Sequence, residues 1–96
     1  MNEPGGDGDG VLARFAAELA SVEGAAGLAD AEPKREARAL LLRLARDIAH
    51  ATERQNAPLA TYIVGRYVEL RGRDGVAEQE ALAEAAGILQ RFTGSP

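Results

Sequence analysis

The chain has 96 residues, a formal net charge of −4 and no cysteine. That length makes one domain, and the missing thiols exclude disulfides, thiolate metal sites, a cysteine nucleophile and dithiol redox work. The acidic balance argues against a nucleic-acid binder, which carries a basic excess to displace phosphate counterions.

Met1 to Gly10 is rich in Gly and Asp without apolar periodicity, so it reads as a disordered tail. It has neither a basic n-region nor an apolar h-region, and no apolar run in the chain approaches the length of a membrane span. The expectation is a cytoplasmic protein with no membrane partner. The first predicted helix runs from about Val11 to Val22, with Asp9 as its cap. Leu12, Phe15, Ala16, Leu19 and Val22 recur three and four apart. Gly24 and Gly27 break it, and Leu28 is expected to tuck into the core from the loop that follows.

The second predicted helix starts at Asp30 as N-cap, has Pro33 in its first turn and extends to about Arg54. Ala37, Leu40, Leu41, Leu44, Ile48 and Ala51 share one broad face, and Arg43, Arg46, Asp47, His50 and Arg54 gather on the other. After the turn Gln55–Asn56, a third helix runs to about Leu70 with Pro58 in its first turn. It is apolar nearly all round, the pattern of a helix at the centre of a bundle. Gly65 inside it costs about 1 kcal/mol relative to Ala, which points to a close approach by another backbone. Arg71 to Gly75 forms a turn. A fourth helix, about Val76 to Phe92, sets Leu82, Ala85, Ala86, Leu89 and Phe92 on one face.

Short loops make neighbouring helices antiparallel. The predicted fold is therefore all-α, a four-helix up-and-down bundle or a close variant, with a tail at 1–10 and the helical domain at 11–93. Its core is expected to hold Phe15, Leu19, Leu40, Leu44, Ile48, Ile63, Tyr67, Leu82, Leu89 and Phe92. A domain this small gains stability from oligomerisation, so a homodimer is a possible state.

The chemistry-bearing residues are sparse. Asp47 and His50, the only histidine, make an Asp-x-x-His pair one turn apart. Di-metal bundles need two such motifs and further carboxylates, and Arg43, Arg46 and Arg54 would repel a cation here. No nucleophile stands beside His50, and the glycines of the tail follow no strand and lack the Lys-Ser/Thr ending of a phosphate loop. No cofactor, metal or catalytic residue is expected. The candidate binding set is Arg43, Arg46, Asp47, His50, Glu53, Arg54 and Tyr62. It reads as a solvated, salt-bridged face, as a partner-binding face, or as an arginine-built anion site. The line Asp47, His50 and Arg54 is also a candidate brace for the corner between helices two and three.

The segment Leu44-Ala-Arg-Asp-Ile-Ala-His-Ala-Thr-Glu-Arg-Gln-Asn-Ala-Pro-Leu-Ala-Thr-Tyr-Ile-Val-Gly65 resembles a small bacterial domain of unknown function. That family occurs alone or fused to proteins assigned as molybdenum-cofactor guanylyltransferases. The resemblance implies an accessory helical module in molybdopterin-guanine dinucleotide biosynthesis, with such a guanylyltransferase as partner. It carries over no catalytic residue. The resulting expectation is a non-enzymatic interaction module. The alternative is a small-ligand or nucleotide-binding bundle that uses the Arg/His stripe of helix two.

Overall fold

A computed structural model of the chain describes residues 10–93. It contains four α-helices: α1 (Val11–Ala20), α2 (Arg35–Ala51), α3 (Asn56–Arg73) and α4 (Glu78–Thr93). A 3-10 turn at Ala26–Leu28 follows α1, and no strand occurs among the described residues. The all-α expectation holds. Of the tail assigned to residues 1–10, all but Gly10 lies outside the described residues, as do the Asp9 cap and positions 94–96.

The chain divides after Pro33 into two compact units. In the first, Gly10 precedes α1 with a left-handed φ of 79°, where a residue without Cβ enters the helix unstrained. The Ser21 hydroxyl donates to the Glu18 carbonyl at 2.7 Å, closing the far end. The 3-10 turn packs against α1. Successive turn bonds, Ala25 N–H to Val22 O, Leu28 N–H to Ala25 O and Ala31 N–H to Leu28 O, carry the fold as far as Ala31. Ala16 is buried, but Leu12, Phe15, Leu19, Val22 and Leu28 are all exposed. The expectations that Phe15 and Leu19 belong to the core and that Leu28 tucks into it are thus corrected.

In the second unit α2, α3 and α4 each pack on the other two. α2 begins after Lys34, whose backbone is extended, and not at Asp30. Pro33 disfavours helical backbone at the residue before it, so the helix starts beyond the proline. α2 ends at Ala51 because Thr52 leaves helical geometry, and its hydroxyl donates back to the Ile48 carbonyl at 2.6 Å. α3 runs past Leu70 to Arg73. There Gly75 (φ 85°) closes a Schellman motif, its N–H donating to Gly72 O at 3.0 Å and the Val76 N–H to Arg71 O at 3.2 Å.

The buried residues of this unit are Ala37, Leu44 and Ile48 from α2 and Ala81 and Leu82 from α4. Leu40, Tyr67 and Leu89 are half-buried. α3 contributes no buried residue, so the central position expected for it is corrected. Ile63 and Phe92, expected in the core, are 66% and 80% exposed. Gly65 is no close-approach point either, since a Cβ built there meets nothing within 4 Å.

Candidate functional site

Apolar residues three and four apart on α3 (Ala60, Ile63, Val64, Tyr67) face their counterparts on α4 (Ala85, Ile88, Leu89, Phe92). The two rows form the walls of an open groove of about 320 Å³, and Leu44 and Ile48 of α2 also line it. Each row spans two helical turns, roughly 10 Å. The side chains lining the groove carry one polar group, the Tyr67 hydroxyl.

That hydroxyl is already engaged. It donates to Glu84 Oε1 at 2.8 Å. Arg71 completes the network, donating from Nε to Oε1 at 3.0 Å and from Nη2 to Oε2 at 3.2 Å. All three side chains are half-buried between α3 and α4, where a bidentate arginine–carboxylate pair fixes both position and orientation. The Arg71 hydrogen bond, then that of Tyr67, holds the Glu84 carboxyl below its ordinary range. The hydrogen bond to Glu84, followed by burial, pushes the Tyr67 phenol up. The network is a strut between the groove walls and leaves the groove floor apolar. Its signal in the sequence is Tyr67 and Arg71 one turn apart, opposite a glutamate set between Leu82 and Ala85.

The seven residues expected to bind are spread over the α2–α3 corner. Arg43 and Asp47 line a second, smaller cavity of about 210 Å³ with Leu40, Ala83, Ala86, Gly87 and Gln90. Arg46 is exposed, and its Nε lies 3.7 Å from Asp47 Oδ1. His50 is exposed in the last turn of α2. Glu53 accepts from Gln55 Nε2 at 2.8 Å, and with Arg54, Gln55 and Pro58 it borders a wide depression. Tyr62 is 66% exposed.

The corner itself is held by other residues. Asn56 Nδ2 donates to Thr52 Oγ1 at 3.0 Å, and the Asn56 and Ala57 N–H groups donate to the carbonyls of Glu53 and Arg54. The side chains of His50 and Arg54 take no part in these bonds, so the expected brace through Asp47, His50 and Arg54 is corrected to one through Thr52 and Asn56. Among the described residues no group of three or more His, Asp or Glu side chains is placed to hold a metal ion.

Three helices of 16 to 18 residues, with an apolar groove strutted by the Tyr67–Glu84–Arg71 network, define a small all-α domain. A family model described as a domain of unknown function (DUF6457) matches residues 8–95, and the chain belongs to that family. No curated protein and no solved structure matches it.

Proposed function

We propose that the protein is a non-enzymatic interaction module that receives an amphipathic helix in the groove between α3 and α4. The observation that carries this reading is the groove's chemistry. Ten lining residues offer one hydroxyl, already spent on Glu84, so the groove has surface to bury and no free group for general acid–base or nucleophilic work. Grooves of this kind bind the apolar face of a helix through residues spaced i, i+3, i+4 and i+7.

The resemblance of residues 44–65 supports a more specific role, as an accessory to a molybdenum-cofactor guanylyltransferase in the cytoplasm. No helix of the described residues is long and apolar enough to cross a membrane, which accords with that setting. Biolayer interferometry with the full chain immobilised and the purified guanylyltransferase in solution tests the assignment. Saturable binding that Phe92→Glu weakens at least tenfold is the expected result. A melting-temperature rise with GTP, lost in Arg46→Ala and in His50→Ala, would instead favour a nucleotide site on the helix-two stripe.

A further inference from the structure

We infer that the helix received between α3 and α4 is an acidic one, with glutamate or aspartate on both flanks of its apolar face. The inference rests on the reading of the groove as a helix acceptor and names the chemistry of the partner.

The charge pattern of the walls carries it. From Asn56 to Tyr67, the part of α3 that forms one wall, Arg66 is the sole charged residue. From Ala85 to Thr93, the facing part of α4, Arg91 is the sole charged residue. Both walls of the open groove are therefore positive, although the whole chain carries −4. The next charges along each helix are spent. Arg71 and Glu84 neutralise each other in the strut at 3.0 Å, and Glu69 is paired with Arg73 at 3.5 Å. Glu78 and Glu80 lie in the first turn of α4, at the opposite end from Phe92. Among the described residues Arg66 and Arg91 make no ion pair, and both are exposed.

Helical geometry sets the two arginines on the lips of the groove. Arg66 follows Ile63 by three residues, and Arg91 follows Ile88 by three. At 3.6 residues per turn, each is rotated roughly 60° from that lining residue, away from the floor. α3 and α4 are joined by the short turn 74–77 and run antiparallel, so the same offset places one arginine on each lip. A helix lying in the groove turns its apolar face to Ile63 and Phe92 and its two flanks to the lips. Acidic flanks meet an unpaired guanidinium on either side, whereas basic flanks meet like charge.

The extent of the apolar surface favours a helix over a small molecule. Leu59, Ile63, Arg66 and Leu70 form one row along the outside of α3, four, three and four residues apart, and its three apolar members are exposed. The row is roughly 16 Å long, about three helical turns. A small ligand is held by enclosure, and this surface is open along its length.

Fluorescence anisotropy with the full chain and three labelled synthetic peptides tests the inference. All three carry leucine at i, i+3, i+4 and i+7, and their flanking positions hold glutamate, glutamine or lysine. In low salt the glutamate peptide should bind about tenfold more tightly than the lysine peptide, with the glutamine peptide between them, and added salt should narrow the gap. In a chain carrying both Arg66→Glu and Arg91→Glu the order should reverse. Tighter binding of the lysine peptide is a gain that an unfolded variant would not give. If all three peptides bind the wild type alike and Phe92→Ala weakens them all, the groove remains a helix acceptor and the acidic partner is excluded. If no peptide binds, both readings fall, and a melting-temperature rise with palmitate would then assign the groove to an acyl chain.

Discussion

Two seams run through the α2–α4 unit, built from the same kind of residue and differing in what covers them. Along α2 and α4, Leu44, Ile48, Ala81 and Leu82 are all under a tenth exposed. Along α3 and α4, Ile63, Ile88 and Phe92 keep between 46% and 80% of their surface. Both seams follow three-four spacing, so periodicity marks a face that is to be covered without saying what covers it. The alanines separate the two cases. Ala37 and Ala81 are small and fully enclosed, whereas bulky side chains on α3 and α4 stand out from a groove that three helices leave open.

The largest effect expected from breaking this contrast is at Leu44. Leu44→Ala should lower unfolding stability by about 2–5 kcal/mol, read by urea denaturation, because the site is buried and the surrounding helices relax only partly. For so small a domain that is a large share of the total. Ile63→Ala sharpens the comparison. It should cost under about 1 kcal/mol, as an exposed residue does. A cost equal to that of Leu44→Ala would remove the distinction between the seams.

The strut between the groove walls gives a pH-dependent test. The carboxyl of Glu84 is held low in the fold, so its contribution is complete above the ordinary carboxylate value of about 4.3 and is lost as pH falls through the lower folded value. The phenol of Tyr67 is raised, so its contribution is complete below about 10 and is lost as pH rises through the higher folded value. Melting temperature measured from pH 2 to 11 should therefore show a plateau between these limits. Glu84→Gln should lower that plateau and flatten the acid limb, and an unaltered acid limb would show that Glu84 is not its source.

Smaller effects are expected at the surface. Gly65→Ala should raise stability by up to about 1 kcal/mol, because helix propensity favours alanine and a Cβ there meets nothing within 4 Å. Arg46→Ala should change it by less than about 0.5 kcal/mol, since its 3.7 Å contact with Asp47 is exposed to solvent.

Local chemistry was the most legible part of the sequence. Helix existence followed from the spacing of Leu40, Leu44 and Ile48, and the α3–α4 turn from Gly72, Asp74 and Gly75. Helix ends were read less well where two signals competed. Asp30 offered a cap, but Pro33 set the start of α2. Thr52 back-bonded to Ile48 and stopped α2 before Arg54. The position of α3 is not legible from its composition, because an all-round apolar helix need not be enclosed, and α3 presents Leu59, Tyr62 and Ile63 outward. The groove could not be seen from one helix at a time, since its walls come from segments about 25 residues apart that only tertiary packing brings together. The charged stripe was legible as a pattern. Its residues nonetheless divide between two depressions and open surface, because charges spaced along a convex helix diverge.

The wholly buried Ala81 stands at the base of the α4 row that continues through Ala85, Ile88 and Phe92, four, three and four residues apart. It works as a shim: the thickness of one methyl group sets how closely α4 seats on its neighbours at the closed end of that row. A thicker shim at that point, as in Ala81→Leu, would strain the seat by an amount on the order of 1–3 kcal/mol and tilt the wall at Ile88 and Phe92. The gauge of the opening is thus fixed from its base, and a substitution there should change which helices fit without altering a single residue that lines the groove.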